Sequence, residues 1–131
     1  MIFLDANFLI SLFAKKPKFH DRAVQIWEEN ESKDKIISKL IITEVVTVLN
    51  VKIRENVDLT DYAYNYMNDN LMIVDDSNCY DLAMKKVKKY YPERIPLFDC
   101  VYMALMEDLD IKEIVSFDKH FDNKEGIERV Y

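Results

Sequence analysis

Four carboxylates stand in this sequence where a carboxylate is awkward: Asp5 in "IFLDANFLI", Glu44 in "ITEVVTVL", Asp99 in "LFDCVYMALM" and Asp118 in "SFDKHFD". Each interrupts or borders an apolar run of the kind that fills a core. Taken singly, most have an ordinary explanation. Asp99 suits the first turn of a helix, where free N–H groups favour negative charge. Asp118 suits a turn or cap, and Glu44 the rim of a helix. Asp5 fits worst, because strand-end acids in a parallel sheet stand where ligands bind. Should the four converge, their repulsion would raise one another's pKa unless a cation were held among them. Oxygen-only ligands suit hard ions, Mg²⁺ or Mn²⁺. The chemistry most often run by such a site is phosphodiester hydrolysis, in which the metal acidifies and orients a water and stabilises the leaving oxygen.

Convergence depends on the elements that carry the acids. Ile2 to Leu4 reads as a short buried strand, and Phe8, Leu9, Leu12 and Phe13 recur at helical spacing, so strand gives way to helix near Asn7. Pro17 ends that helix, a second runs to about Asn30, and Lys35 to Ser38 is a strand. From Ile41 to Ile53 the apolar positions trace a wide helical stripe, with Glu44 close beside it. "DLTDYAYNYMNDN" reads as a further helix capped by Asp58 or Thr60, with Tyr62, Tyr64, Tyr66 and Met67 as core or dimer surface. Met72 to Val74 forms a strand, and Asn78 with Asp81 makes a loose capping box for a helix through Val87. Pro96 starts a helix carrying Asp99; Ile114 to Ser116 and Ile127 to Val130 are strands, with Gly126 turning into the last. Short apolar strands alternating with helices imply a three-layer α/β/α sandwich with a mostly parallel sheet, in a single domain spanning 1–131. In such a sheet Asp5 and Asp118 share the edge beyond the carboxyl ends of the strands.

Composition narrows the classes. No run approaches the roughly 18 apolar residues of a membrane span. The apolar start is broken by Asp5 and preceded by no Lys or Arg, unlike a signal peptide, so a cytoplasmic address is expected. Two cysteines, Cys79 and Cys100, read as reduced apolar side chains, and two histidines make a Cys/His zinc cluster improbable. A net charge of −6 argues against broad adhesion to nucleic acid. The single glycine, Gly126, excludes a Rossmann fingerprint and a P-loop, each of which needs several. "LMIVDDSN" looks like the acidic pair of a receiver domain, but such a domain would open with that pair, and only 13 residues follow Asp118; Asp75 and Asp76 therefore read as turn and cap residues. "DAN" lacks the second acid of haloacid dehalogenase-type phosphatases, because Asn7 occupies its place.

Taken in order, the four acidic segments resemble the motifs of PIN-domain nucleases, and the resemblance runs from Ile2 to Val130. It implies a Mg²⁺- or Mn²⁺-dependent endoribonuclease with Asp5, Glu44, Asp99 and Asp118 as catalytic, metal-holding acids. Asn7 matches the polar residue two after the first acid, with a role in hydrogen-bonding a ligating carboxylate or water, or else in capping the first helix. Ser116 resembles the small hydroxyl residue before the fourth acid, although Phe117 intervenes. Asp122 is a candidate extra ligand or a turn cap, and His120 reads as a surface histidine. So small a PIN protein resembles the toxins of VapBC-type toxin–antitoxin pairs, which implies an RNA substrate, a small antitoxin protein and a homodimer. The densest basic and aromatic stretch, with Lys85, Lys86, Lys88 and Lys89, is a candidate RNA contact or simply a solvated helix face. The rival to an enzyme is a PIN-like scaffold serving as a non-catalytic RNA- or protein-binding module.

Overall fold

The computed structural model describes residues 1–131. Five strands, β1 (Ile2–Leu4), β2 (Lys35–Ser38), β3 (Met72–Val74), β4 (Glu113–Val115) and β5 (Glu128–Val130), form one sheet in the order β3-β2-β1-β4-β5. Every pairing is parallel, so the sheet is wholly rather than mostly parallel. Six α-helices cover it: α1 (Ala6–Phe13), α2 (His20–Glu29), α3 (Lys39–Val48), α4 (Val57–Asn70), α5 (Tyr80–Tyr90) and α6 (Leu97–Asp108). Helix α1 packs against α2 and α3, α3 against α4, and α5 against α6. The central strand β1 is the most deeply buried, and β2 and β4 flank it in register, Phe3 lying opposite both Ile36 and Ile114. That burial is why β1 reads as an unbroken apolar run rather than an alternating one.

The chain winds outward from β1 through β2 to β3, then crosses back to lay β4 on the other side of β1. Strand order therefore reverses between β1 and β4, the place where open parallel sheets leave a crevice at their carboxyl edge. Asp5 and Ser116 are the first residues beyond those two strands, and the Asp5 N–H still donates to the Val115 carbonyl at 3.0 Å. No helix is long and apolar enough to cross a membrane. Cys79 and Cys100 are buried and unpaired with each other.

Three local expectations need correction. The α-helix bearing Glu44 ends at Val48, not near Ile53; Leu49–Ile53 form a wider π-helical turn that closes on Arg54 in the left-handed region, at φ 55°. The cap of α4 is neither Asp58 nor Thr60 but Asn56, whose side-chain oxygen accepts from the Leu59 N–H at 2.7 Å. Asn78 and Asp81 make no capping box: Cys79 holds the cap position of α5 without a side-chain bond. Asp75, by contrast, is a turn acid as read, accepting from the Ser77 N–H at 3.1 Å and its hydroxyl at 2.8 Å. Asn56→Ala should lower stability by about 1 kcal/mol in urea denaturation, and Asp58→Ala, which removes only a first-turn charge, by a few tenths.

Candidate active site

Asp5 ends β1 and caps α1, its Oδ1 accepting from the Ala6 N–H at 2.8 Å. The other carboxylate oxygen accepts from the Ser116 hydroxyl at 2.7 Å, a bond that ties the end of β1 to the end of β4. Ser116 Oγ in turn accepts from the Asp118 N–H at 3.0 Å and from Asn7 Nδ2 at 3.3 Å. Asn7 Oδ1 accepts from the Phe117 N–H at 3.0 Å. One buried hydroxyl and one amide thus set the path of the chain from β4 to Asp118. Asn7 is not the cap of α1; Asp5 is.

Asp99 enters from the first turn of α6 and is buried, where free N–H groups of the helix favour an anion. The short 3₁₀ turn Lys119–Phe121, capped by Asp118, folds His120 back over the acids. Its Nδ1 lies 2.8 Å from Asp99 Oδ2 and 3.1 Å from Asp118 Oδ2. His120 is thus a partly exposed histidine turned onto the acids, not a free one: Asp99, Asp118 and His120 offer ligand atoms within 4.8 Å of one another. The sequence carried a signal, since Phe121 is an apolar anchor that must go inward and so turns the preceding histidine toward the sheet edge. Glu44 projects half-buried from α3.

The four acids lie close enough for their charges to act on one another. Burial, helped by the charges of Asp99 and Glu44, pushes Asp5 up to about 8. Burial, with the charges of Asp99 and Asp118, pushes Glu44 up to about 7. Asp99 rises to about 6, driven by burial and held back by the hydrogen bond from His120. Acids in this state hold protons that a hard cation would displace, and their donor atoms are all carboxylate oxygens apart from His120. The donor set fits Mg²⁺ or Mn²⁺.

Two candidates fall elsewhere. Asp122 does not join the acids, because Arg129 takes both its oxygens, Nε at 2.6 Å and Nη2 at 3.0 Å, while Arg129 Nη1 donates to the Ser116 carbonyl at 3.1 Å. Asp122 instead holds the guanidinium that braces the Ser116 backbone. The lysines of α5 are not at this edge. Lys86 pairs with Glu107 at the far end of α6 and Lys89 with Glu125, beside Ile111, Lys112 and Ile127, which lead into the amino ends of β4 and β5. Lys85 and Lys88 on the same helix are exposed.

The model of the PIN domain family matches residues 2–127. The chain belongs to the PIN-domain family. Solved structures agree on the fold. The PIN domain here superposes on the Mycobacterium tuberculosis toxin VapC20, described as cleaving the sarcin–ricin loop, with a TM-score of 0.79 at 19% identity, covering 91% of each chain. It is also similar to VapBC2 of Rickettsia felis bound to a DNA fragment from its promoter (TM-score 0.69, 15% identity, 99% of this chain and 98% of that one). FitAcB of Neisseria gonorrhoeae gives a TM-score of 0.66 at 16% identity over 91% and 88% of the two chains. No curated protein sequence matches the chain.

The raised carboxyl groups of this PIN domain bind more protons folded than unfolded between about pH 4 and pH 8, so their contribution to stability falls as pH rises through that window. In EDTA the melting temperature should drop from pH 5 to pH 8 more steeply than in Asp5→Asn. Added Mn²⁺ should restore it more at pH 8 than at pH 5. A Mn²⁺ effect equal at both pH values would refute cation binding by these acids.

Proposed function

We propose that this PIN domain is a Mg²⁺- or Mn²⁺-dependent endoribonuclease and the toxin of a toxin–antitoxin pair. The observation that carries the reading is the convergence of Asp5, Asp99, Asp118 and His120, with Glu44 beside them, at the sheet's switch point, with raised carboxyl pKa values. Family membership and the likeness to VapC20, a toxin described as cleaving the sarcin–ricin loop, support it.

When bound, the cation supplies the Lewis acidity that makes a water nucleophilic near neutral pH and neutralises charge on the phosphate. Asp5, Asp99 and Asp118 are the carboxylates placed to hold it. Ser116 and Asn7 fix their geometry: the Ser116 hydroxyl takes one lone pair on one Asp5 oxygen and the Ala6 N–H one on the other, leaving a lone pair on each for a cation. Glu44, half-buried beside the other acids, is the carboxylate we assign to take a proton from the attacking water. His120 donates through Nδ1 to Asp99, orienting that carboxylate and offsetting part of the rise that burial causes.

The similarity to VapBC2 and FitAcB supports an antitoxin protein as partner; a homodimer is part of the same proposal. The cytoplasm, where RNA and an antitoxin would meet it, is the expected location.

Purified protein should cleave RNA endonucleolytically with Mn²⁺ or Mg²⁺ and stop in EDTA. Asp5→Asn and Asp99→Asn should each abolish cleavage and Mn²⁺ binding by calorimetry while circular dichroism stays native. Cleavage surviving both would sink the assignment, and a native fold without any Mn²⁺ site would favour the non-catalytic binding module. Ser116→Ala removes the bond that positions Asp5, and should weaken Mn²⁺ binding by about 10- to 100-fold with the metal-free fold intact. Co-expression with the protein encoded next to this gene, followed by co-purification and loss of cleavage, would test the antitoxin.

A further inference from the structure

Beside the acids stands an aromatic pair that the hydrolytic reading does not use. Phe117 lies between Ser116 and Asp118, and the bond from its N–H to Asn7 fixes its place relative to the carboxylates. Phe8 packs against it from α1, ring centroids 6.2 Å apart. On Phe117 the ring of Phe19 is stacked, with centroids 4.6 Å apart and planes 21° from parallel. Phe19 remains 41% exposed.

The loop that presents Phe19 is anchored at both ends. Glu55 Oε1 accepts from the Lys15 and Lys16 N–H groups at 2.9 Å each, and His20 Nδ1 is hydrogen-bonded to the Ser11 carbonyl at 2.7 Å. Lys15, Lys16 and Lys18 are exposed, and none of them is ion-paired, in a chain of net charge −6. The Lys18 ammonium stands 5.3 Å from the Phe19 ring centroid, and Lys16 Nζ reaches only the Ile53 carbonyl at 3.3 Å. A rigidly backed, exposed ring flanked by unpaired cations has the chemistry of a single-stranded nucleic-acid contact, where bases stack on aromatics and lysines meet phosphates.

We infer that Phe19, backed by Phe117, stacks a nucleobase of the RNA next to the scissile phosphodiester, with Lys15, Lys16 and Lys18 meeting the adjoining backbone phosphates. The inference rests on the ribonuclease reading. It moves the substrate contact from the lysines of α5 to the loop between α1 and α2.

The test uses full-length Asp5→Asn protein with Mg²⁺, to prevent turnover, and a fluorescein-labelled single-stranded RNA of mixed sequence read by anisotropy. Adding Phe19→Ala should weaken binding by about 5- to 150-fold, the loss of one base–aromatic stack. Adding Phe19→Trp instead should preserve affinity, and the new indole should be quenched when RNA binds, which packing alone would not produce. Lys15→Gln with Lys18→Gln should lower the slope of log K against log salt by about 0.7 per lysine. Undiminished binding by Phe19→Ala, or an unquenched indole, would overturn the inference even where the native protein cleaves RNA. If the native protein neither binds nor cleaves RNA, the ribonuclease reading falls and takes the inference with it. Should Phe19→Ala fail to fold, the quenching measurement decides.

Discussion

Carboxylates repel each other and resist burial, and this fold gathers them under both penalties. Asp5 and Asp99 are buried, Glu44 and Asp118 half-buried, and three of the four carry raised pKa values because of it. Arrangements of this kind are unfavourable for a scaffold alone and favourable for one that holds a cation. The neighbouring polar groups follow from the same constraint. The Ser116 hydroxyl, the Ala6 N–H and His120 each contribute a hydrogen bond to a carboxylate that has lost water. The parallel sheet supplies the place, since its order reverses between β1 and β4 and opens a crevice where two strands end side by side.

The support extends outward in layers. Arg129 on edge strand β5 grips Asp122 with two bonds and the Ser116 carbonyl with a third. Ser116 holds Asp5 and receives the Asp118 N–H, so the middle residue of the last strand is two contacts from Asp5. Planar, forked guanidinium geometry suits this bracing in a way that a lysine's point charge would not.

Much of this was legible from residue order. Buried parallel strands are written as unbroken apolar runs, and β1 and β4 are short and apolar enough to be found with the acids that follow them. The apolar stripe around Glu44 and the first-turn place of Asp99 were likewise local signals. What escaped was set by contacts distant in sequence. Nothing within a few residues of Asp122 reveals that Arg129 will curl back to claim it. His120 reaches Asp99, 21 residues away, only because a single 3₁₀ turn buries Phe121. The lysines of α5 are conspicuous in sequence, yet that helix carries them to the amino edge of the sheet, where Glu107 and Glu125 take two of them. Asn56 outcompeted Asp58 and Thr60 as a cap because only its oxygen met the Leu59 N–H, a matter of one helical turn that periodicity does not resolve.

The reversal of strand order also divides the site across the length of the chain. Asp5 and Glu44 come from the first third of the sequence, and Asp99, Asp118 and His120 from the last. A nascent chain that has laid down β1, β2 and β3 holds two carboxylates without the serine, the histidine or the other two acids. It can neither concentrate the charge nor clamp an ion. The full set of acids therefore comes together only when β4 docks against β1, after β1, β2 and β3 are already laid down.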